Sequence, residues 1–362
     1  MADLLESGAD VKVCDVRRFD EYQTMNIPGS TSLPGGELLL RVRDLLPSAQ
    51  TQVIINCAGR TRSIIGTQTL VNAGLANPVF ALRNGTIGWT LAGQSLTHGQ
   101  PQQYGELTAE NRQRAADEAR RIAERAGVKR ISAQQLRTWQ QQTDRTTYLF
   151  DVRSAGEYEA GHLPGARHVP GGQLVQETDH YASVRGARIV LTDDLLTRAE
   201  ITASWLAQMN WEVAVLDPAE AAAFRETGPW LAPVPDAGLH PPADPQTVSQ
   251  WLAAGTTRVL DFTTSANYVK GHIPGAYWLL RADIPALIAA GALPEGERYV
   301  VTCGSSLLAR FAVDQLQQLT GKPVVVLEGG NTAWRAAGLA QESGETALLS
   351  VRKDRYQRPY EG

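Results

Sequence analysis

Three tandem α/β domains are the architecture this chain predicts, and three observations predict it. One frame of 42 residues recurs three times, each copy alternates short strands with helices, and the strands are apolar throughout. The frame opens on an apolar strand ending at Asp15, Asp151 and Asp261. Thirteen residues later comes Pro28-Gly29, Pro164-Gly165 and Pro274-Gly275. A second apolar strand closes the frame at Cys57, Asp193 and Cys303, so the intervals 15→57, 151→193 and 261→303 are equal. Self-similarity at a fixed period sets an architecture ahead of any propensity argument. Strands alternating with helices imply parallel pairing. Strands without polar alternation imply a sheet covered by helices on both faces.

The 362 residues suit two to four domains, and three copies of roughly 110 residues each match a common domain size. Copy one spans 1–100. Copies two and three begin with an amphipathic helix well upstream of the Asp (Ser132 to Gln140, Pro245 to Leu252), whereas copy one keeps only Ala2 to Ser7. Copy one thus reads as trimmed at its N-terminus, which raises the expectation that the natural chain extends further that way. A connector helix is expected within 104–127, with Thr108 and Glu110 near its start and Gly127 at its end, a cap-to-cap pattern. Copy two spans 128–235. The proline-rich stretch 229–245 reads as an extended spacer, copy three spans 236–345, and the polar, basic tail 346–362 is expected to lie over a surface.

A hydrophobic content of 43% with 20% charged residues describes an ordinary globular protein. The net charge of −4 gives no electrostatic reason for nucleic-acid binding. No run of 18 apolar residues indicates a membrane span, and Met1-Ala-Asp-Leu-Leu-Glu does not read as a signal peptide. Three cysteines argue against a disulfide framework and for a reducing cytoplasm. None of the histidines pairs with cysteine at zinc-site spacing, so neither metal nor cofactor is expected. Oligomeric state stays open.

The segment Val53-Ile-Ile-Asn-Cys57-Ala58-Gly59-Arg60-Thr61-Arg62-Ser63 reads as buried strand, short loop and helix start. It sets a sulfur at the carboxyl end of a parallel strand, where open α/β sheets place ligands. Backbone N–H groups and the helix dipole there favour negative charge, and Arg60 and Arg62 add two cations. These surroundings favour thiolate over thiol and make Cys57 the candidate nucleophile. A buried structural cysteine is the competing reading, but it would not require a cationic loop. Cys14, inside the first strand where the other copies have Phe150 and Leu260, reads as core.

The series Asp15-Val-Arg17, Glu21-Tyr22, Ile27-Pro-Gly29, Cys57-x4-Arg62-Ser63 and Gly85-x3-Trp89 resembles the rhodanese (sulfurtransferase) domain. Copy two repeats it in Asp151-Val-Arg153, Glu157-Tyr158 and Gly161-His-Leu-Pro-Gly-Ala166. Copy three has Gly271-His-Ile-Pro-Gly-Ala276 and Leu327-Glu-Gly-Gly330 with Trp334. The resemblance implies a persulfide on Cys57. Sulfur would come from an anionic small-molecule donor, thiosulfate or glutathione persulfide, and pass to cyanide or to a thiol such as glutathione or a thioredoxin-like protein. It further implies that Ala58 to Arg62 form an N–H cradle, with Ser63 at its end, and that Arg60 and Arg62 attract the donor. Asp15 and Arg17 read as a corner brace, and His162 and His272, where copy one has Asn26, as turn residues.

Copy two carries Asp193-Asp194 at the nucleophile position and reads as catalytically silent. It also has Asp217-Pro-Ala-Glu220 in place of a Gly-Gly…Trp element. Copy three keeps Cys303 in a neutral loop, Gly304-Ser305-Ser306-Leu-Leu, a possible second site relying on a helix N-terminus alone. Its sequence is only faintly similar to loops serving 3-mercaptopyruvate. A cysteine phosphatase, with a loop one residue longer, is disfavoured because this loop is sized for a sulfur atom. A non-catalytic repeat scaffold, or a sulfur relay between Cys57 and Cys303, stays as the alternative.

Overall fold

The computed structural model describes residues 1–217, 225–233, 237, 238 and 240–354. They form two compact units, Met1–Leu231 and Ala232–Gly362. The first unit contains two parallel sheets. Copy one builds β1 (Val11–Asp15), β2 (Thr31–Ser32), β3 (Gln52–Asn56) and β4 (Val79–Ala81) in the order β2-β1-β3-β4. Copy two builds β5 (Lys129–Ile131), β6 (Thr147–Asp151), β7 (Arg167–His168), β8 (Arg188–Thr192) and β9 (Glu212–Leu216) in the order β5-β9-β8-β6-β7. The second unit repeats the five-stranded plan with β10 (Pro242–Ala243), β11 (Thr257–Asp261), β12 (Tyr277–Trp278), β13 (Arg298–Thr302) and β14 (Val324–Leu327), in the order β10-β14-β13-β11-β12. Among the described residues no strand takes the place of β5 or β10 in copy one, and β4 is the last strand in its order.

Register explains the frame. The opening Asp of each copy pairs with the residue just before the nucleophile position: Asp15 with Asn56, Asp151 with Thr192, Asp261 with Thr302. Both strands end together at one rim of the sheet, so the opening Asp and the nucleophile position lie side by side in all three copies. The Pro-Gly step is a turn in each copy. Ser30, Ala166 and Ala276 donate their N–H to the carbonyls of Ile27, Leu163 and Ile273 at 3.0–3.1 Å. The glycine has φ of +76°, +75° and +70°. Proline second and left-handed glycine third is the type II pattern.

The same turn carries a braced tyrosine. Tyr22, Tyr158 and Tyr268 donate their hydroxyls to the carbonyls of Ser30, Ala166 and Ala276 at 2.6–2.7 Å. His162 and His272 stack on Tyr158 and Tyr268 with ring centroids 3.8 Å apart. Each also contacts that tyrosine's carbonyl through Nδ1 at 2.8 Å. Asn26 makes the matching bond from Nδ2 to the Tyr22 carbonyl at 3.0 Å. This is the turn role expected of the two histidines.

The connector helix runs Ala109–Arg125, capped by the Thr108 side chain accepting from the Asn111 N–H at 3.3 Å. It is more than a tether. Ala115, Ala119 and Ile122 belong to the apolar core of copy one and Ala123 to that of copy two, so the cores of copies one and two both pack on this helix.

Two expectations on the connections change. The proline-rich stretch 229–245 is not all spacer. Pro242 and Ala243 form β10, while the helix expected from Pro245 is present and runs to Ala253, with the missing proline N–H costing nothing at its first turn. The expected boundary at 235/236 lies outside the described residues, as do residues 218–220 of the Asp217-Pro-Ala-Glu220 element. Nor does the tail simply lie over a surface. Trp278 donates to the Ala347 carbonyl at 3.0 Å and Leu349 to the Trp278 carbonyl at 2.8 Å, which extends the sheet beyond β12. Residues 355–362 lie outside the described residues.

Candidate active site

Cys57 directly follows the last residue of β3 and is 2% exposed. The loop after it leads into the helix Thr61–Ala73. Its Sγ is 3.4 Å from Ser63 Oγ, which itself donates to the Arg60 carbonyl at 2.9 Å. Ser63 therefore faces the sulfur with its lone pairs, and the thiol is the donor. The loop is clamped from outside by the helix Gly85–Leu91. Thr86 and Ile87 donate their N–H to the carbonyls of Cys57 and Ala58 at 3.0 and 3.1 Å. A Cβ on Gly85 would lie 2.0 Å from the Cys57 carbonyl oxygen, and its φ is +53°. Both facts demand glycine. Trp89 is buried and donates through Nε1 to the Ser95 carbonyl at 2.8 Å. The Gly85-x3-Trp89 motif is thus the lid that shapes the nucleophile loop.

The two loop arginines diverge. Arg60 is exposed and its Nε donates to Asn84 Oδ1 at 3.0 Å. Arg62 is buried and turned to Glu21, to which its two terminal nitrogens donate at 2.7 and 2.8 Å. Burial alone would raise the Glu21 carboxyl, but Arg62, helped by Arg18, holds it at about 2. Of the pair expected to meet the donor, Arg62 is committed to a carboxylate. Ala58 and Gly59 are half-buried and Thr61 is exposed.

Asp15 is a brace, as read from the sequence. Arg17 donates to it from Nε and Nη2, the shortest bond being 2.7 Å, and Asn56 Nδ2 adds a third side chain at 3.0 Å. Arg17 also reaches the Met25 carbonyl. Cys14 is fully buried, and burial pushes its thiol up to about 12, as expected of a core residue.

Copy two fills the same loop with its own anion. Asp193 accepts the N–H of Leu195 at 3.2 Å, of Arg198 at 2.8 Å and of Ala199 at 3.4 Å. Arg198 is five residues past Asp193, as Arg62 is past Cys57. It is 2% exposed and also bonds Glu157, Asp194 and Glu37. Glu157 matches Glu21, each six residues past its Asp. Burial first, and the adjoining Asp193 second, push the Asp194 carboxyl up.

Copies one and two exchange contacts symmetrically. Glu37 and Gln173 each lie 22 residues past their Asp (37 − 15 and 173 − 151). Glu37 accepts from Arg198 at 2.6 Å, and Gln173 accepts from Arg62 at 3.3 Å. A cleft of about 570 Å³ separates the two rims, lined by Val16, Gly35 and Arg62 on one side and Val152, Gly171 and Arg198 on the other.

Copy three keeps the lid and changes the loop. Asn331 and Thr332 donate to the carbonyls of Cys303 and Gly304 at 2.9 and 3.0 Å, and Gly330 has φ of +63°. Cys303 is 4% exposed. Ser305 is exposed, while Ser306 is buried at φ +65° with its Oγ unpaired. The helix expected at this sulfur begins only at Val313, after the 3-10 turn Ala309–Ala312, so the helix-end support assigned to Cys303 is displaced. Glu21 and Arg62 are replaced together, by Asn267 and Leu308. Asp261 has also lost its arginine, since Thr263 stands at the Arg17 position. Among the described residues its carboxylate accepts from the Thr263 N–H and Asn331 Nδ2, and burial raises it to about 6 despite both bonds.

The residues missed at the sequence level are Glu21 as the Arg62 anchor, Asn56, Asn84, Glu37 and Gln173. A signal existed for the first: Glu21 with Arg62, Glu157 with Arg198, and neither in copy three.

A thiol at the carboxyl end of a parallel strand, within a loop whose N–H groups hold a carboxylate in the sister copy, makes this an α/β domain with a candidate nucleophile at its strand end. The Rhodanese-like domain model matches residues 1–92, 132–218 and 244–337, and the chain belongs to that family. Its structure is similar to that of a thiosulfate sulfurtransferase from Pseudomonas aeruginosa, at 60% identity and TM-score 0.89, covering 100% of this chain and 68% of that one. Curated relatives are more distant. An HTH-type transcriptional regulator of Mycobacterium tuberculosis is 29% identical over 28% of this chain and 43% of its own. An uncharacterized protein of Synechocystis is 29% identical over 30% of this chain and 59% of its own. The chain spans about half the length of the curated relatives it matches. Among the described residues no helix is long and apolar enough to cross a membrane.

Proposed function

We propose that the chain is a sulfurtransferase working through a persulfide on Cys57. The observation that carries the reading is the Cys57 loop: a buried thiol 3.4 Å from Ser63 Oγ, at a helix start, beside the exposed cation Arg60. The likeness to the Pseudomonas aeruginosa thiosulfate sulfurtransferase supports thiosulfate as donor.

In the first half-reaction the Cys57 thiolate attacks the outer sulfur of thiosulfate. The S–S bond to the sulfonate sulfur breaks, and sulfite leaves with the electron pair. The persulfide's terminal sulfur carries the negative charge, and the backbone N–H groups from Gly59 to Ser63 receive it. Support comes from copy two, where the matching groups of Leu195, Arg198 and Ala199 hold a carboxylate. In the second half-reaction an acceptor thiolate or cyanide attacks the terminal sulfur, and Cys57 leaves as thiolate.

Arg60 attracts the anionic donor, and Arg62 fixes the loop to Glu21. Copy two serves as structural support. Cys303 is at most an auxiliary carrier, with no cation in its loop before Arg310. The setting is the cytoplasm, where the three unpaired cysteines stay reduced.

The test is intact mass after brief exposure to thiosulfate. A gain of one sulfur that is lost in Cys57→Ser and kept in Cys303→Ser is expected. No gain in the wild type overturns the reading and leaves a binding scaffold.

A further inference from the structure

Large apolar side chains are exposed around the Cys57 loop on both elements hydrogen-bonded to it. Ile64 is 55% exposed, and its N–H bonds the Arg60 carbonyl at 3.0 Å. Ile87 is 57% exposed, and its N–H bonds the Ala58 carbonyl at 3.1 Å. Leu91, one turn further on the same face, is 80% exposed. Ile87 and Leu91 are neighbours on one helix face, and exposed apolar side chains that lie together mark an interaction site.

The place of β4 at the end of its order does not account for them. Copy three has its fifth strand, and the matching positions are exposed there too, yet they hold Arg310, Thr332 and Ala336. The apolar character therefore goes with the copy whose loop is cationic. Arg60 and Arg83 stand exposed at the same rim. Neither makes an ion pair with a carboxylate among the described residues, and Arg60 meets only the neutral Asn84.

We infer that this rim is the docking surface for a protein acceptor: a folded protein presenting a protruding thiol flanked by apolar and acidic side chains. The inference rests on the sulfur-transfer reading. A protruding thiol suits a sulfur that is only 2% exposed. The apolar side chains would supply contact area, and the arginines would steer an acidic face and set its orientation. Transfer is thiol–persulfide exchange. The partner's thiolate takes the terminal sulfur, the S–S bond to Cys57 breaks, and the persulfide moves to the partner.

The experiment compares wild type, Leu91→Asp, Leu91→Ser and Arg83→Glu, all changes at exposed side chains, with thiosulfate as donor. Each is assayed with cyanide and with reduced thioredoxin as acceptors. The expected result is a fall of about tenfold in kcat/KM with thioredoxin for each apolar variant, with cyanide turnover unchanged. Arg83→Glu lowers the thioredoxin rate most at low salt. Equal losses with both acceptors would mean that the loop itself was disturbed, and would overturn the docking role. So would variants that match wild type with both acceptors, or a wild type that serves cyanide and not thioredoxin. A wild type that takes no sulfur from thiosulfate is a different failure, since it removes the underlying reading.

Discussion

Glu21 grips Arg62 with both carboxylate oxygens, at 2.7 and 2.8 Å. The helix holding Glu21 follows β1, and Arg62 follows β3, so the pair ties the nucleophile loop to the neighbouring strand's helix. Arg198 and Glu157 repeat the tie in copy two. Copy three lacks both partners, and there the regular helix starts late.

The two loop arginines should therefore separate experimentally. Arg60→Gln is expected to raise KM for thiosulfate several-fold with little change in Tm. Arg62→Gln is expected to cost about 1–3 kcal/mol of stability, because it strands a half-buried carboxylate. Steady-state kinetics and thermal unfolding on both variants test the division. Equal KM effects with equal Tm would refute it.

Acidity should act oppositely on the first and third copies. Glu21 lies at about 2 against an ordinary 4.5. Its ionised form stabilises the fold above about pH 4.5, and that contribution is lost as the pH falls towards 2. Asp261 lies at about 6 against an ordinary 3.8. Its protonated form is the stabilising one: the contribution is complete below 3.8 and gone once the pH rises past 6. Asp261→Asn should therefore raise stability by about 1–3 kcal/mol at pH 7 and change little at pH 4. Urea unfolding at the two pH values measures this, and an equal effect at both would contradict it.

Copy two should matter to copy one through Arg198. Arg198→Met removes the cation shared by Asp193, Glu157, Asp194 and Glu37. Leaving Asp193 and Glu37 buried without it should cost about 3–5 kcal/mol. Because Glu37 belongs to copy one, the loss should appear as earlier unfolding of residues 1–231 as a body. Hydrogen exchange resolved by mass spectrometry follows it, and destabilisation confined to copy two would count against the shared brace.

The glycine lids offer a paired control. Gly85→Ala sets a methyl 2.0 Å from the Cys57 carbonyl oxygen and Gly330→Ala one 2.3 Å from that of Cys303. Gly85→Ala should cut persulfide formation more than about tenfold, since left-handed backbone disfavours a side chain and the loop must also move. Gly330→Ala should leave uptake at Cys57 intact. Intact mass after thiosulfate reads both, and a loss in Gly330→Ala would point to a working Cys303.

By itself the sequence determined the repeat, the parallel sheets and the strand-end position of Cys57, because spacing and apolar runs are local properties that register turns into geometry. The core role of Cys14 and the turn role of His162 and His272 were legible for the same reason. The partner of Arg62 was decided only in three dimensions: Glu21 is 41 residues away, and a cation in a loop looks the same in sequence whether it faces donor or carboxylate. The late helix start after Cys303 was also invisible, since loop and helix residues there share one composition. The joining of copies one and two was tertiary as well. Ala115, Ala119 and Ala123 read as a charged connector until two cores close on one helix, and Glu37 finds Arg198 only when the two rims meet.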